Sequence, residues 1–239
     1  MEGGRIIHTA YPHAWYSDSD NVITILRNGE MHLRYAKNTK EIKHWDGKTY
    51  YPTIERAIIR TQQHFDYGHF EIEAKMAKGL NICCAFWLSG FGNWPPEIDI
   101  VEAWSEDNGY SWKTTNYFPW FTKSWRTTYN VHYNDKKLRH KHLGSKNIKK
   151  CDQPLDPIEN WIKYEVDWLP SKIIFRANGV VTKIVGKKYA EMLTKNLNNP
   201  QKGHLMDAII DINIDDPEKT KSFLDEPFKV RNFKYVPMK

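Results

Sequence analysis

Short runs rich in β-branched and aromatic residues recur along this chain from end to end, each closed by turn-forming residues. That pattern predicts strands. VITILRNGEMHLRYA reads as two strands about Asn28-Gly29, a dipeptide suited to a tight turn with positive φ, and KIIFRANGVVTKIV repeats the device at Asn178-Gly179. Further strands are expected at 54–62, 69–76, 82–88, 97–104, 127–133, 163–168, 206–214 and 228–236. Only KKYAEMLTKNL, 187–197, has a helical pattern. Strands at this spacing without alternating helices predict an antiparallel sandwich or barrel. No linker rich in Gly, Ser or Pro divides the chain and no repeat is visible, so residues 1–239 are expected to form a single domain. The lysine-heavy stretch from Lys136 to Lys150 is expected to be a solvated loop.

One predicted strand breaks the pattern. PPEIDIVEAW, residues 95–104, carries Glu97, Asp99 and Glu102 among isoleucine and valine. Like charges repel, and a carboxylate withdrawn from water costs several kcal/mol unless paired or protonated. On a helix, at about 100° per residue, the three acids would scatter around the axis. The β-branched Ile98, Ile100 and Val101 favour a strand, in which Glu97 and Asp99 share one face. Glu102 then falls on the wrong face, because five residues is an odd step. A β-bulge at Ile100-Val101 would return Glu102 to the acids and bring Trp104 beside them. The bulge shortens five steps to about four, or roughly 13 Å along the strand. If the two glutamates lean together by about 4 Å each, their carboxyls stand about 5 Å apart, close to the 5–5.5 Å of a retaining glycosidase.

Such chemistry needs two carboxyls in opposite protonation states at one pH. Glu97 would attack the anomeric carbon as a carboxylate, and Glu102 would protonate the leaving oxygen and then activate water. Crowding by like charge would raise the acid's pKa, and the three groups should titrate as a coupled set. Asp99 could orient the nucleophile.

EIDIVE resembles the signature of glycoside hydrolase family 16, Glu-x-Asp-x-x-Glu. The resemblance implies Glu97 as nucleophile, Asp99 as its assistant and Glu102 as acid/base. The six-residue form resembles the laminarinase, agarase, porphyranase and carrageenase branches; the lichenase and xyloglucan transglycosylase branches use five. YGHFEIEAKMAKGLNICCAFWLSG, WIKYEVDWLPSKIIFRANGVV and PFKVRNFKYV resemble further family segments in the family's order, so roughly residues 20–239 are covered. The implied fold is a concanavalin A-like jelly-roll β-sandwich of two antiparallel sheets, the concave one forming a cleft. The implied function is a retaining endo-β-glycosidase acting on a β-linked polysaccharide without a cofactor. Some members carry a structural calcium, for which this sequence identifies no ligands. A transglycosylase using the same intermediate, or a non-catalytic lectin-like module, would be the alternatives.

Tryptophan faces pack on the C–H faces of sugar rings, which makes Trp87, Trp94 and Trp104 candidates for substrate binding, although core packing is the commoner fate of a tryptophan. Trp87 matches a family tryptophan near the cleaved bond, and His132 matches a histidine on the neighbouring cleft strand. Asp211 and Asn213 alternate along one strand and could face the cleft. Laminarinases have a glycine-rich stretch where this chain reads MDAIIDINIDDPEKT, which favours a galactan of the agar, porphyran or carrageenan type over a β-1,3-glucan.

Charge adds a little to this. Lys and Arg outnumber Asp and Glu by 35 to 29, for a net charge of +6. That fits a sulfated polymer without requiring one, with Arg60 and Arg126 as candidate sulfate ligands. Basic and aromatic residues form no recognisable nucleic-acid module, so no nucleic-acid partner is expected. No apolar stretch of about 18 residues predicts a membrane span, and a monomer is expected. MEGGRIIHTAY lacks an apolar signal core. The chain is therefore read as cytoplasmic or as lacking its leader, whereas the resemblance implies an extracellular or periplasmic enzyme. Cys83 and Cys84 lie in an apolar run and are expected in the core, and with Cys151 they form neither a disulfide framework nor a zinc spacing.

Overall fold

Alternation of apolar and polar side chains sets the architecture. In the strand Gly68–Lys75 (β8), every second residue is buried, and the same period runs through Ile162–Leu169 (β14) and Lys172–Ala177 (β15). A strand with one oily face must cover it against another sheet. The computed structural model describes residues 14–43, 47–78, 82–91, 94–104, 127–135, 137–143, 146–147, 157–194, 205–214 and 226–238. Arg126 and Cys151 lie outside these residues.

Two large sheets result. The first has the order Ala14–Ser17 (β1), Ile54–Arg60 (β7), Met206–Ile214 (β17), Ile82–Gly90 (β9), Glu97–Trp104 (β10), Thr127–Asn134 (β11) and His140–His142 (β12). Tyr35–Lys37 (β4) also pairs with β7, and Lys146–Asn147 (β13) with β11. The second sheet runs Val180–Val185 (β16), β15, β14, β8, Phe228–Pro237 (β18), Met31–Leu33 (β3) and Ile23–Ile25 (β2). Ile42–Lys43 (β5) and Thr49–Tyr50 (β6) form a small separate pair. The fold is a jelly-roll sandwich, antiparallel except that β1 lies parallel to β7.

One core joins the two layers. Phe86 and Leu88 of β9, Ile98 and Val101 of β10, and Ile210 and Ile212 of β17 meet Phe70 and Ile72 of β8 and Val166 and Trp168 of β14. Cys83 and Cys84 are buried and neither is in a disulfide, and burial pushes the Cys84 pKa up to about 12, which keeps it an inert core group. At Gly68 the chains approach so closely that a Cβ would lie 2.5 Å from the Val236 carbonyl oxygen, so β8 and β18 can pair there only through glycine.

The expected strands form, with ends moved by a residue or two. Asn178 and Gly179 have φ of 50° and 79° and close a two-residue hairpin between Ala177 and Val180. Asn28-Gly29 also turns the chain, with Gly29 at φ 81°, but the connection spans Leu26 to Glu30 and the following strand breaks at Arg34 into β3 and β4. The helix forms over Lys187–Thr194 (α1). The stretch expected to be a loop from Lys136 to Lys150 instead contains β12 and β13, both paired to β11. An edge strand needs only backbone hydrogen bonds, so exposed His140, Lys141 and His142 can occupy one without the alternation that reveals a strand.

Candidate active site

The core explains the bulge. Ile98, Ile100, Val101 and Ala103 are all buried in the sandwich, and two consecutive inward residues cannot occur in a regular strand. The ladder records the extra residue: Asp99 pairs with Trp87 and Val101 with Phe86 on β9, while Asp99 and Glu102 pair with Asn130 and Thr128 on β11. Glu102 and Trp104 thereby return to the face carrying Glu97 and Asp99, as the sequence led us to expect.

Side chains from the neighbouring strands, and Trp94 from the segment that leads into β10, converge on these acids. Trp94 Nε1 donates to Glu97 Oε2 at 2.8 Å. His132 Nε2 lies 3.4 Å from Glu97 Oε1 and 3.3 Å from Asp99 Oδ2. Thr128 Oγ1 lies 3.5 Å from Glu102 Oε2, at the limit of a hydrogen bond. Asn130 accepts the Val131 N–H through Oδ1, which turns its Nδ2 toward His132 Nε2 at 3.0 Å. His132 Nδ1 meets His140 Nε2 at 2.9 Å, and the Trp94 ring leans on His140 with centroids 4.5 Å apart. The two imidazoles are nearly coplanar, so this is an edge-to-edge N–H···N bond.

On the other side of the acids, Trp87 Nε1 donates to Asp211 Oδ1 at 3.0 Å, and the Tyr16 hydroxyl donates to Asp211 Oδ2 at 2.8 Å. Arg60, paired with Ile209 beside Trp87, has its Nε 3.0 Å from Asp207 Oδ2 and keeps 45% of its side chain exposed. Of the sequence candidates, Trp87, Trp94, Trp104 and His132 stand beside the acids or on their face, and Arg60 stands at the end of the Asp99–Trp87 row. Asn213 stands in the Trp104 row on the same face as Asp211 and accepts a hydrogen bond from the buried Arg56. Tyr16, Thr128, Asn130 and His140 had no signal in the sequence, because pairing across strands distant in the chain brings them here.

Three carboxyls on one half-dry face repel one another. Burial, then the charge of Asp99, pushes Glu97 up to about 8, against the pull of His132 and the Trp94 N–H. Burial, then Glu97, pushes Glu102 up to about 7, with Asp211 adding and His132 and Thr128 opposing. Asp99, 4% exposed, is raised well above the usual range by burial and then by Glu102. The sequence predicted a high value for Glu102 alone. The structure raises all three, because the burial that protects one proton is common to the cluster.

Two groups among the described residues have donor sets for a cation: Glu97, Asp99 and His132, and, on the other sheet, His69, Glu71 and Glu165. In the second group Lys163 Nζ already lies 3.8 Å from Glu71 and 3.7 Å from Glu165, supplying the positive charge a metal would bring. A cavity of about 530 Å³, lined by Tyr16, Ser17, Asn38 and Glu55 among others, opens near the β1 edge and does not contain the acids.

Comparison with known proteins places this arrangement. Residues 13–210 match the model for glycosyl hydrolases family 16. A 42-residue segment is 48% identical to endo-1,3-1,4-beta-glycanase EglC of Rhizobium meliloti (strain 1021), taking in 17% of this chain and 9% of the relative's own length. Two solved structures from Zobellia galactanivorans share the fold. The LamAcat structure superposes with a TM-score of 0.63 at 17% identity over 93% of this chain and 83% of that one. Porphyranase B superposes with a TM-score of 0.63 at 18% identity over 98% and 84%. The match over most of its length shows that this chain belongs to glycosyl hydrolase family 16.

Proposed function

We propose that the protein is a retaining endo-β-glycosidase that cuts inside a β-linked polysaccharide. The observation that carries this is the bulge between Asp99 and Val101, which sets Glu97, Asp99 and Glu102 on one face beside Trp87 and His132. With values of about 8 and 7, the Glu97–Glu102 pair holds a single proton in that narrow window. The glycosidic oxygen, an acceptor, draws that proton to Glu102. The Trp94 N–H and His132 then favour the Glu97 carboxylate, which attacks the anomeric carbon as the protonated oxygen leaves. Glu102, now ionised, takes a proton from water, and the resulting hydroxide releases the sugar from Glu97 with overall retention. Asp99, hydrogen-bonded to Glu97, keeps the attacking oxygen aimed at the sugar.

For substrate we favour a galactan of the agar, porphyran or carrageenan type over a β-1,3-glucan. The basic balance supports this, as does MDAIIDINIDDPEKT standing where laminarinases are glycine-rich. Asp207 holds Arg60 by Nε, and the remaining donors of its guanidinium are those a sulfate would use. An extracellular or periplasmic site of action fits a polymer substrate.

The test is chemical rescue. Glu97→Ala and Glu102→Ala should each abolish hydrolysis, and azide should restore turnover of an activated glycoside. Azide replacing the nucleophile attacks once and gives the inverted glycosyl azide. Azide replacing the acid/base attacks the glycosyl-enzyme and gives the retained one. Activity surviving in either variant, or the two products reversed, would contradict the assignment. Laminarin, lichenan, agarose, porphyran and carrageenans, with products sized by mass, decide the polymer.

A further inference from the structure

Asp211 has no part in the two-carboxyl reaction, yet it is 3% exposed on the face that carries the acids. An isolated buried carboxylate is costly, so its partners matter. Both of its oxygens accept hydrogen bonds, one from Tyr16 and one from Trp87. Burial raises its pKa while Tyr16, Trp87 and Arg56 oppose the rise. Two N–H or O–H donors on one carboxyl suit the ionised form. The Arg56 guanidinium lies 3.9 Å from the centre of the Tyr16 ring, a positive charge stationed behind the hydroxyl that Asp211 receives.

The register fixes its position relative to the reacting groups. Asp211 pairs with Ala85 on β9, and Ala85 pairs with Glu102 on β10. Asp211 and Glu102 therefore occupy one transverse row, two strands or roughly 10 Å apart. Trp87, the indole that Asp211 holds, pairs with Asp99 in the adjoining row.

We propose that Asp211 is a positioning residue for glycoside cleavage: its carboxylate clamps the indole edge of Trp87, and its negative charge keeps the proton on Glu102. A tryptophan held by one N–H cannot turn about its χ angles without breaking that bond, so the ring face offered to a sugar is fixed before substrate arrives. The charge acts through space. At roughly 10 Å and an effective dielectric near 20, a unit negative charge shifts a carboxyl's titration by about one pH unit. The other groups around the pair are Tyr16 on β1, Arg56 on β7, Cys83 on β9, Glu97 and Asp99 on β10, and His132 on β11. Glu97 likewise holds the Trp94 indole, but it is one of the reacting carboxyls; Asp211 holds Trp87 without taking part in bond breaking.

This inference rests on the glycosidase assignment, and the test separates the two. Asp211→Asn keeps the shape but removes the charge, and Trp87→Phe keeps the charge but removes the N–H. In Asp211→Asn the acid limb of kcat/KM should move down by about one pH unit, because Glu102, the lower-titrating of the pair, loses its proton earlier without the neighbouring anion. KM should rise several-fold. In Trp87→Phe, which keeps the anion and removes one of its two donors, KM should rise while the acid limb moves far less than in Asp211→Asn. Tyr16→Phe, which removes one donor from Asp211 and leaves the Trp87 bond, should move the limb the same way by less; it serves if Asp211→Asn does not fold. Folded variants with an unmoved acid limb and unchanged KM would overturn the role of Asp211 and leave Glu97 and Glu102 in place. Loss of the assignment itself would show instead as activity surviving in Glu97→Ala or Glu102→Ala.

Discussion

The outer faces of the two sheets are built from the same alternation and end in opposite electrostatics. On the seven-stranded sheet every acid described below meets a cation. Arg231 Nη2 lies 2.7 Å from Glu73, Arg176 Nη1 2.6 Å from Asp167, and Lys234 Nζ 3.6 Å from Glu71. All three carboxyls are held below their usual range: Glu71 by the His69 hydrogen bond, and Glu73 by the Asn232 hydrogen bond and then Arg231. For Asp167, burial pulls upward and is outweighed by His69 and Arg176. On the nine-stranded sheet Glu97, Asp99 and Glu102 face one another with His132 between, and all three are raised. Paired charge supports a surface; charge left in conflict keeps protons available near neutral pH, which is what acid–base chemistry requires.

Substitution should separate the faces most sharply in activity. Glu97→Ala and Glu102→Ala should each lower kcat by about 1,000-fold or more, measured as reducing ends released from the preferred polymer. Glu71→Ala should change it less than about two-fold.

Stability against pH should separate them by sign. Glu97 is raised in the fold from 4.5 to about 8, so the folded chain keeps its proton where the unfolded chain has lost it. Stability then falls as pH rises from about 4.5 through 8. Glu97→Gln cannot ionise, so its Tm should exceed the parent's by roughly 5 °C above pH 8 and match it near pH 4. Glu73 is the reverse case. Its depressed value contributes stability above its unfolded value, lost as pH falls, so Glu73→Gln should lower Tm by roughly 1–2 °C at pH 7 and converge with the parent in acid.

The profile of activity should follow the same groups. The competent pair carries one proton, so kcat/KM should be bell-shaped with limbs near 7 and 8. Trp94→Phe removes a donor that favours the Glu97 carboxylate, which lets Glu97 hold its proton to higher pH. The alkaline limb should rise by a fraction of a unit and kcat/KM fall several-fold, the smallest of these effects.

What could be read from the sequence follows the same division. The acid face was legible because Ile98, Ile100, Val101 and Ala103 report their burial through residue type, and only a bulge reconciles them with Glu102. The conflict among the acids was legible too, though not its extent, since the burial of Asp99 depends on strands distant in the chain. β1 was not anticipated: a four-residue strand parallel to its neighbour has no hairpin turn to announce it, and Tyr16 went with it. β12 was hidden by its lysine and histidines, and with it the His132–His140 bond.

The central claim is that β10 aims Glu97 at the anomeric carbon while Glu102 holds the proton, and a slow-turnover 2-deoxy-2-fluoro glycoside of the preferred sugar tests it most directly. Mass spectrometry of the trapped enzyme should find one equivalent of sugar, ester-linked to Glu97. A label on Glu102 or Asp99, or steady hydrolysis of the natural polymer with inversion of configuration, would contradict it.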